Sequence, residues 1–289
     1  MRLNGRRTSS NVDDRRRGGG GGRIAGIGGV AGLVIAAVVT WLMGGNPFDV
    51  ISHLDAGGQN MMQPGSEQTL SAEDEELATF ASQILAGTED VWTREFEKMG
   101  MRYEPPRMVL FSGSVQSGCG GATSATGPFY CSADRTVYLD LSFFKQMERQ
   151  LGAGGDFAYA YVIAHEVGHH VQNLLGTLDD AHRQMARSSE RVANEISVRL
   201  ELQADFYAGI WAYNDNEMFQ SLEPGDIEEG LNAASRIGDD YLQKQAQGYA
   251  VPDSFTHGRS DQRVKWLKRG ATTGDIRLGD TFSPTYESL

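Results

Sequence analysis

The chain of 289 residues has only two cysteines, too few for a disulfide-stapled scaffold or a four-cysteine zinc module. It has no excess of base either: 26 Lys and Arg stand against 38 Asp and Glu, a net charge of -12. A nucleic-acid binder would present a basic face, so no nucleic-acid partner is expected. No G-x-S-x-G is present, which removes the usual serine-hydrolase elbow, and no internal repeat, which removes solenoids. What remains, at 40% hydrophobic and 22% charged, is an ordinary globular composition on a chain long enough to bury a core unaided.

The charge is split along the chain. The first 43 residues hold seven arginines, no lysine and only Asp13 and Asp14. The remaining 246 residues carry 19 bases against 36 acids, a net charge of -17. Residues 24–43 form an uncharged apolar run, and a helix of that length rises about 30 Å, enough to span a bilayer. The run is long for a signal-peptide core, and no A-x-A cleavage site follows it. It is therefore expected to be an uncleaved transmembrane helix. Arginines before it and none closely after it place the N-terminus in the cytoplasm and the acidic bulk outside, in the periplasm. Cys119 and Cys131, twelve apart in a Gly- and Ser-rich stretch, then read as a local disulfide in an oxidising compartment.

Four regions follow. Residues 1–23 are expected to be a disordered basic cytoplasmic tail, 24–43 the membrane helix and 44–70 a linker; residues 71–289 are expected to form the functional domain. Ser71 with Asp74 three residues on is a helix N-cap signal. Leu77, Phe80, Ala81, Ile84 and Leu85 keep helical spacing, and a second amphipathic stretch, 91–99, is expected after a break at Gly87. Residues 108–112 and 137–142 read as short strands.

The chemistry concentrates in residues 156–175, a helical stretch containing His165-Glu166-Val167-Gly168-His169. Residues four apart share a helix face, so His165 and His169 can both turn a ring nitrogen to one Zn²⁺. Glu166, one step round, can accept a proton from a water at the metal's open position. Gly168 leaves room for a neighbouring backbone or a substrate. A chance H-E-x-x-H in such a chain has a probability on the order of one in a hundred. His170 points off the shared face and is not expected to be a ligand.

Two histidines leave the metal one protein ligand short. The metzincin extension is absent, because position 175 is Leu. Residues 198–213 form a second, markedly apolar helical stretch bearing Glu201 and Asp205 at i and i+4. Glu201 is the preferred third ligand, with Glu195, His182 and His257 as alternatives. Asp205 is placed behind the ligands, holding the second ring nitrogen of a histidine.

Several blocks carry a resemblance beyond the bare motif. They are S-S-N-V-D-D-R-R (residues 9–16), G-P-F-Y-C (127–131), V-Y-L-D-L-S-F-F (137–144), A-H-E-V-G-H-H-V-Q (164–172), S-V-R-L-E-L-Q-A-D (197–205), P-G-D-I-E-E (224–229) and D-S-F-T-H-G (253–258). In these the chain resembles the neutral zinc metallopeptidases of bacterial envelopes, a gluzincin-like group with one N-terminal anchor. The resemblance implies an α+β, mainly helical zincin-like domain with a small sheet. It implies one zinc ion, with His165, His169 and Glu201 as ligands, Glu166 as catalytic acid and base, and a peptide or protein as substrate. It also implies that the strand at 137–142 borders the cleft and pairs with extended substrate. His257 or Arg263 is a candidate for stabilising an oxyanion. Two alternatives stand beside the peptidase: a zinc-binding envelope protein with an assembly or chaperone-like role and no turnover, and a zinc amidase acting on cell-wall cross-links. Nothing in the sequence assigns an oligomeric state.

Overall fold

The computed structural model describes residues 1–17 and 70–289. The expected membrane helix at 24–43 and nearly all of the linker lie outside the described residues, and among those described no helix is long and apolar enough to cross a membrane.

Helix α1 (Ala72–Lys98) starts where its cap signal stands. The Ser71 hydroxyl accepts the Asp74 amide while the Asp74 side chain takes the Ser71 amide, satisfying two donors at the helix start. The expected break at Gly87 does not occur, and α1 runs straight through it. Glycine is required there for another reason. A Cβ on Gly87 would stand 2.9 Å from both Arg6 Nη2 and Asp215 Oδ1, so its bare backbone admits an ion pair from elsewhere in the chain.

Two sheets follow. The larger has the order β1 (Val12–Asp14), β2 (Arg107–Phe111), β6 (Thr136–Asp140), β5 (Phe129–Cys131). β1 and β6 both run parallel to β2, and β5 runs antiparallel to β6. The expected strands at 108–112 and 137–142 are β2 and β6 within a residue or two. Both are buried almost throughout rather than alternating, as strands covered on two faces must be. Met108, Leu110, Val137 and Leu139 face the main core with the helices. Val109, Phe111, Tyr138 and Cys131 form a small second cluster on the other face. A hairpin of β3 (Ser114–Ser117) and β4 (Gly120–Thr123) leads into β5, and Cys119 and Cys131 are joined as expected, their Cα atoms 5.8 Å apart.

β6 is an interior strand at its start, hydrogen-bonded to β2 on one side and to β5 over Thr136–Tyr138 on the other, so the edge expected to pair with substrate is already occupied at Val137 and Tyr138.

The remaining helices are α2 (Ser142–Leu151), α3 (Asp156–Leu174), α4 (Thr177–Met185), α5 (Glu190–Phe219), α6 (Asp226–Arg236), α7 (Asp239–Gln247) and α8 (Ser260–Thr273). α5 is the spine, packed against α3 on one side and α8 on the other. Trp92, Trp211, Trp266, Phe157 and Phe206 are fully buried around it. The α+β expectation of a small sheet beside a mainly helical body is what the fold presents.

The N-terminal residues depart most from expectation. Residues 1–17 are not a disordered tail. Val12–Asp14 extend the sheet beside β2, and the arginines find carboxylates on the domain. Composition suggested disorder because the carboxylates that Arg2, Arg6 and Arg16 reach on the domain lie some 60 to 220 residues further along the chain.

Candidate metal centre

Helices α3 and α5 meet with almost nothing between them. A Cβ on Gly168 would lie 3.0 Å from the Ala204 carbonyl oxygen and 3.1 Å from Ala204 Cα, so glycine lets the two backbones touch. That approach sets the shared face of His165 and His169 opposite Glu201. One ligand atom from each of these three residues lies within 4.8 Å of the other two. His165 Nε2 stands 3.1 Å from Glu201 Oε2 and His169 Nε2 3.4 Å from Glu201 Oε1, so the carboxylate spans both rings. His182, His257 and Glu195 fall outside this cluster. Glu195 instead forms an exposed pair with Arg191, one turn back on α5.

The partners behind the rings decide which nitrogens face inward. His165 Nδ1 lies 2.8 Å from Asp205 Oδ1, the contact expected of Asp205. His169 Nδ1 lies 2.9 Å from Gln172 Oε1. With each Nδ1–H held by an acceptor, each Nε2 lone pair is directed at the space shared with Glu201. Gln172 is itself fixed, its amide donating to the Leu200 carbonyl at 2.7 Å and to Gln203 Oε1 at 3.1 Å. Sequence reasoning missed Gln172. Its signal was position, one turn after His169 on a buried face.

Asp205 is fully buried. It accepts the Tyr161 hydroxyl at 2.6 Å and a two-pronged contact from Arg263, whose Nε and Nη2 lie 2.8 and 2.9 Å from its two oxygens. Arg263 is thereby locked behind His165 with its donors committed inward. With its donors used there, Arg263 is not available to stabilise a substrate oxyanion.

His257 is different. It sits at the N-terminal approach to α8 with its side chain 21% exposed. Its Nδ1 is near Thr256 Oγ1 and Asp239 Oδ1, at 3.1 and 3.3 Å. Asp239 Oδ2 also accepts the backbone amides of Thr256, His257 and Gly258 at 2.7–2.9 Å, so one carboxylate shapes the whole turn. Asp239, too, was missed, because nothing local marks it as the partner of a turn 18 residues away.

Electrostatics tie these groups together. Burial would raise the Glu201 carboxyl, but His169, His257 and His165 outweigh it and hold Glu201 well below its usual range. Burial would lower His165, but Asp205 and Glu201 outweigh it and push the ring up to about 10. Glu166, buried beside them, is pushed up by desolvation, moderated by His165 and His169. His257 is raised against its burial, first by the charge of Glu201. Arg263 neutralises Asp205, which leaves Glu201 asking for positive charge in a buried pocket. Two imidazole nitrogens and a carboxylate oxygen at this spacing fit a zinc ion, which would supply that charge in place of protons on the rings.

His170 is the counterexample within the same motif. It is fully buried, its Nε2–H donates to the Glu104 carbonyl at 2.7 Å, and Nδ1 accepts the Tyr130 hydroxyl at 2.9 Å. Desolvation lowers it to about 4, so it is a neutral core histidine joining α3 to β5.

The fold and the site define a protein of the H-E-x-x-H class, with a third donor supplied by a second buried helix. The chain belongs to the family described as "Putative neutral zinc metallopeptidase", whose pattern matches residues 1–282. It is 48% identical over 287 residues to the uncharacterized protein YpfJ of Escherichia coli K12, covering 98% of this chain and 99% of that one. It is 40% identical over 252 residues to the uncharacterized protein Rv2575 of Mycobacterium tuberculosis H37Rv, 84% of each chain. No solved structure matches the chain.

Proposed function

We propose that the protein is a zinc-dependent metallopeptidase that hydrolyses peptide bonds in proteins or peptides of the bacterial envelope. The observation that carries this reading is the convergence of His165, His169 and Glu201 with buried Glu166 next in sequence to the first of them. The ligand set alone would serve a structural ion; a buried carboxylate beside it, its pKa raised by desolvation, serves proton transfer.

Bound zinc would supply a charge that polarises a scissile carbonyl and makes water acidic near neutral pH. His165, His169 and Glu201 would hold the ion, with Asp205 and Gln172 keeping each imidazole in the tautomer that can bind. Glu166 accepts the attacking water's proton and returns it to the leaving amine nitrogen. His257, oriented by Asp239, offers its Nε2–H to the carbonyl oxygen as that oxygen gains charge. Residues 24–43 and the Cys119–Cys131 bridge support a membrane-attached, extracytoplasmic location for this activity.

The deciding comparison is between the purified protein and Glu166→Gln, each analysed for metal and tested on an unfolded protein substrate. The wild type is expected to carry about one zinc and cleave, and the variant to keep the zinc but lose about 10²–10⁴-fold in rate. Equal cleavage by both would overturn the role of Glu166. A well-folded wild type that binds no zinc would overturn the peptidase reading.

A further inference from the structure

The N-terminal seventeen residues are built into the domain. Asn11 O accepts the Met108 amide at 2.9 Å, Arg15 donates its amide to Leu110 O at 2.8 Å, and β1 lies between these contacts along the edge of β2. Ser9 and Asn11 both donate to Glu89 Oε1 on α1, at 2.5 and 2.8 Å. Arg6 forks onto Asp215, a buried carboxylate on α5, at 2.8 and 3.2 Å, and passes over bare Gly87 to do so. Its guanidinium also stacks 3.7 Å above the Phe219 ring.

The exit and re-entry points of the intervening chain coincide. Arg16, nearly fully buried, donates to the Asp74 carbonyl at 2.7 Å and to Glu75 Oε2 at 3.2 Å, and Arg17 pairs with Glu75 as well. The chain therefore leaves the domain at Arg17 and rejoins it at Leu70 within a few side-chain lengths.

A single crossing by residues 24–43 would put residues 1–17 and the domain on opposite sides of about 30 Å of hydrocarbon, where none of these contacts could form. We infer that residues 1–17 occupy the same side of the membrane as the metal centre, so that Arg17 and Leu70, the two described ends of the chain on either side of the apolar run, both lie on the side of the active site.

The test uses the full chain in bacterial cells and is independent of zinc and of cleavage. Exposed Thr8 and exposed Glu97 are changed singly, Thr8→Cys and Glu97→Cys, and labelled with a membrane-impermeant maleimide before and after the cytoplasmic membrane is permeabilised. Both positions are expected to label under the same condition. Labelling of one before and the other only after permeabilisation would overturn the inference. In the purified full chain, Arg6→Ala is expected to lower Tm by roughly 4 °C or more, because it strands a buried carboxylate. An unchanged Tm would mean that the segment is not docked.

Discussion

His257 and Glu166 are assigned different moments of the proposed reaction. Glu166 has no hydrogen-bond partner among the described residues, which suits a group that must gain and lose a proton. His257 is pinned through Nδ1, which suits a fixed donor. Removing a fixed donor to a developing oxyanion costs about 10²–10³-fold in kcat. His257→Ala is therefore expected to lower kcat by that factor with KM changed far less, measured by steady-state cleavage of a peptide. A large rise in KM with kcat intact would instead make His257 a substrate-binding group. Among the motif residues, chemistry and structure divide cleanly between adjacent histidines. His169 and His170 are neighbours in sequence, yet one faces Glu201 and the other is sealed between Tyr130 and the Glu104 carbonyl.

At the scale of elements, the metal centre depends on how closely α3 and α5 approach. Glu201 reaches both rings because Gly168 places no side chain between the helices. Gly168→Ala must push Ala204 back by a few tenths of an ångström, and overpacking of this kind costs roughly 1–3 kcal/mol. The expected outcome is a lower Tm together with weaker zinc retention on dialysis against a chelator. An unchanged zinc affinity would show that the close approach serves packing alone. Gly87 makes the same point on α1, where sequence reasoning expected a break. Helix propensity disfavours glycine by about 1 kcal/mol, but a continuous buried face on both sides of it outweighs that cost. The helices of the site were readable because their apolar spacing is local, whereas β1 was not, because three residues flanked by arginine acquire strand character only beside β2.

A bound zinc ion is expected to couple to the stability of the whole molecule. Zinc that binds the folded chain and not the unfolded one adds about 4 kcal/mol when free metal is a thousandfold above Kd. Chelation is expected to lower Tm in wild type and in Glu166→Gln alike, since Glu166 is not a ligand, and readdition of zinc to restore it. Calorimetry with and without chelator reads this directly, and a Tm indifferent to chelation would mean that the ion does not stabilise the fold. Spacing within the chain determined what lies within one helical turn: His165, Glu166 and His169, the Glu201–Asp205 pair and the exclusion of His170 at the site, and the Ser71 cap of α1. These follow from helical periodicity, which needs no knowledge of neighbours. Tertiary structure alone decided what depends on residues far apart. It selected Glu201 over Glu195 and His182, committed Arg263 to Asp205, and gave His257 its Asp239. It also enclosed β6 between two strands and drew the arginine-rich start onto carboxylates as far as Asp215 and Glu223. The reason is the same in each case: a charge or a strand edge is read correctly only with its partner in place, and folding brings those partners together across most of the chain.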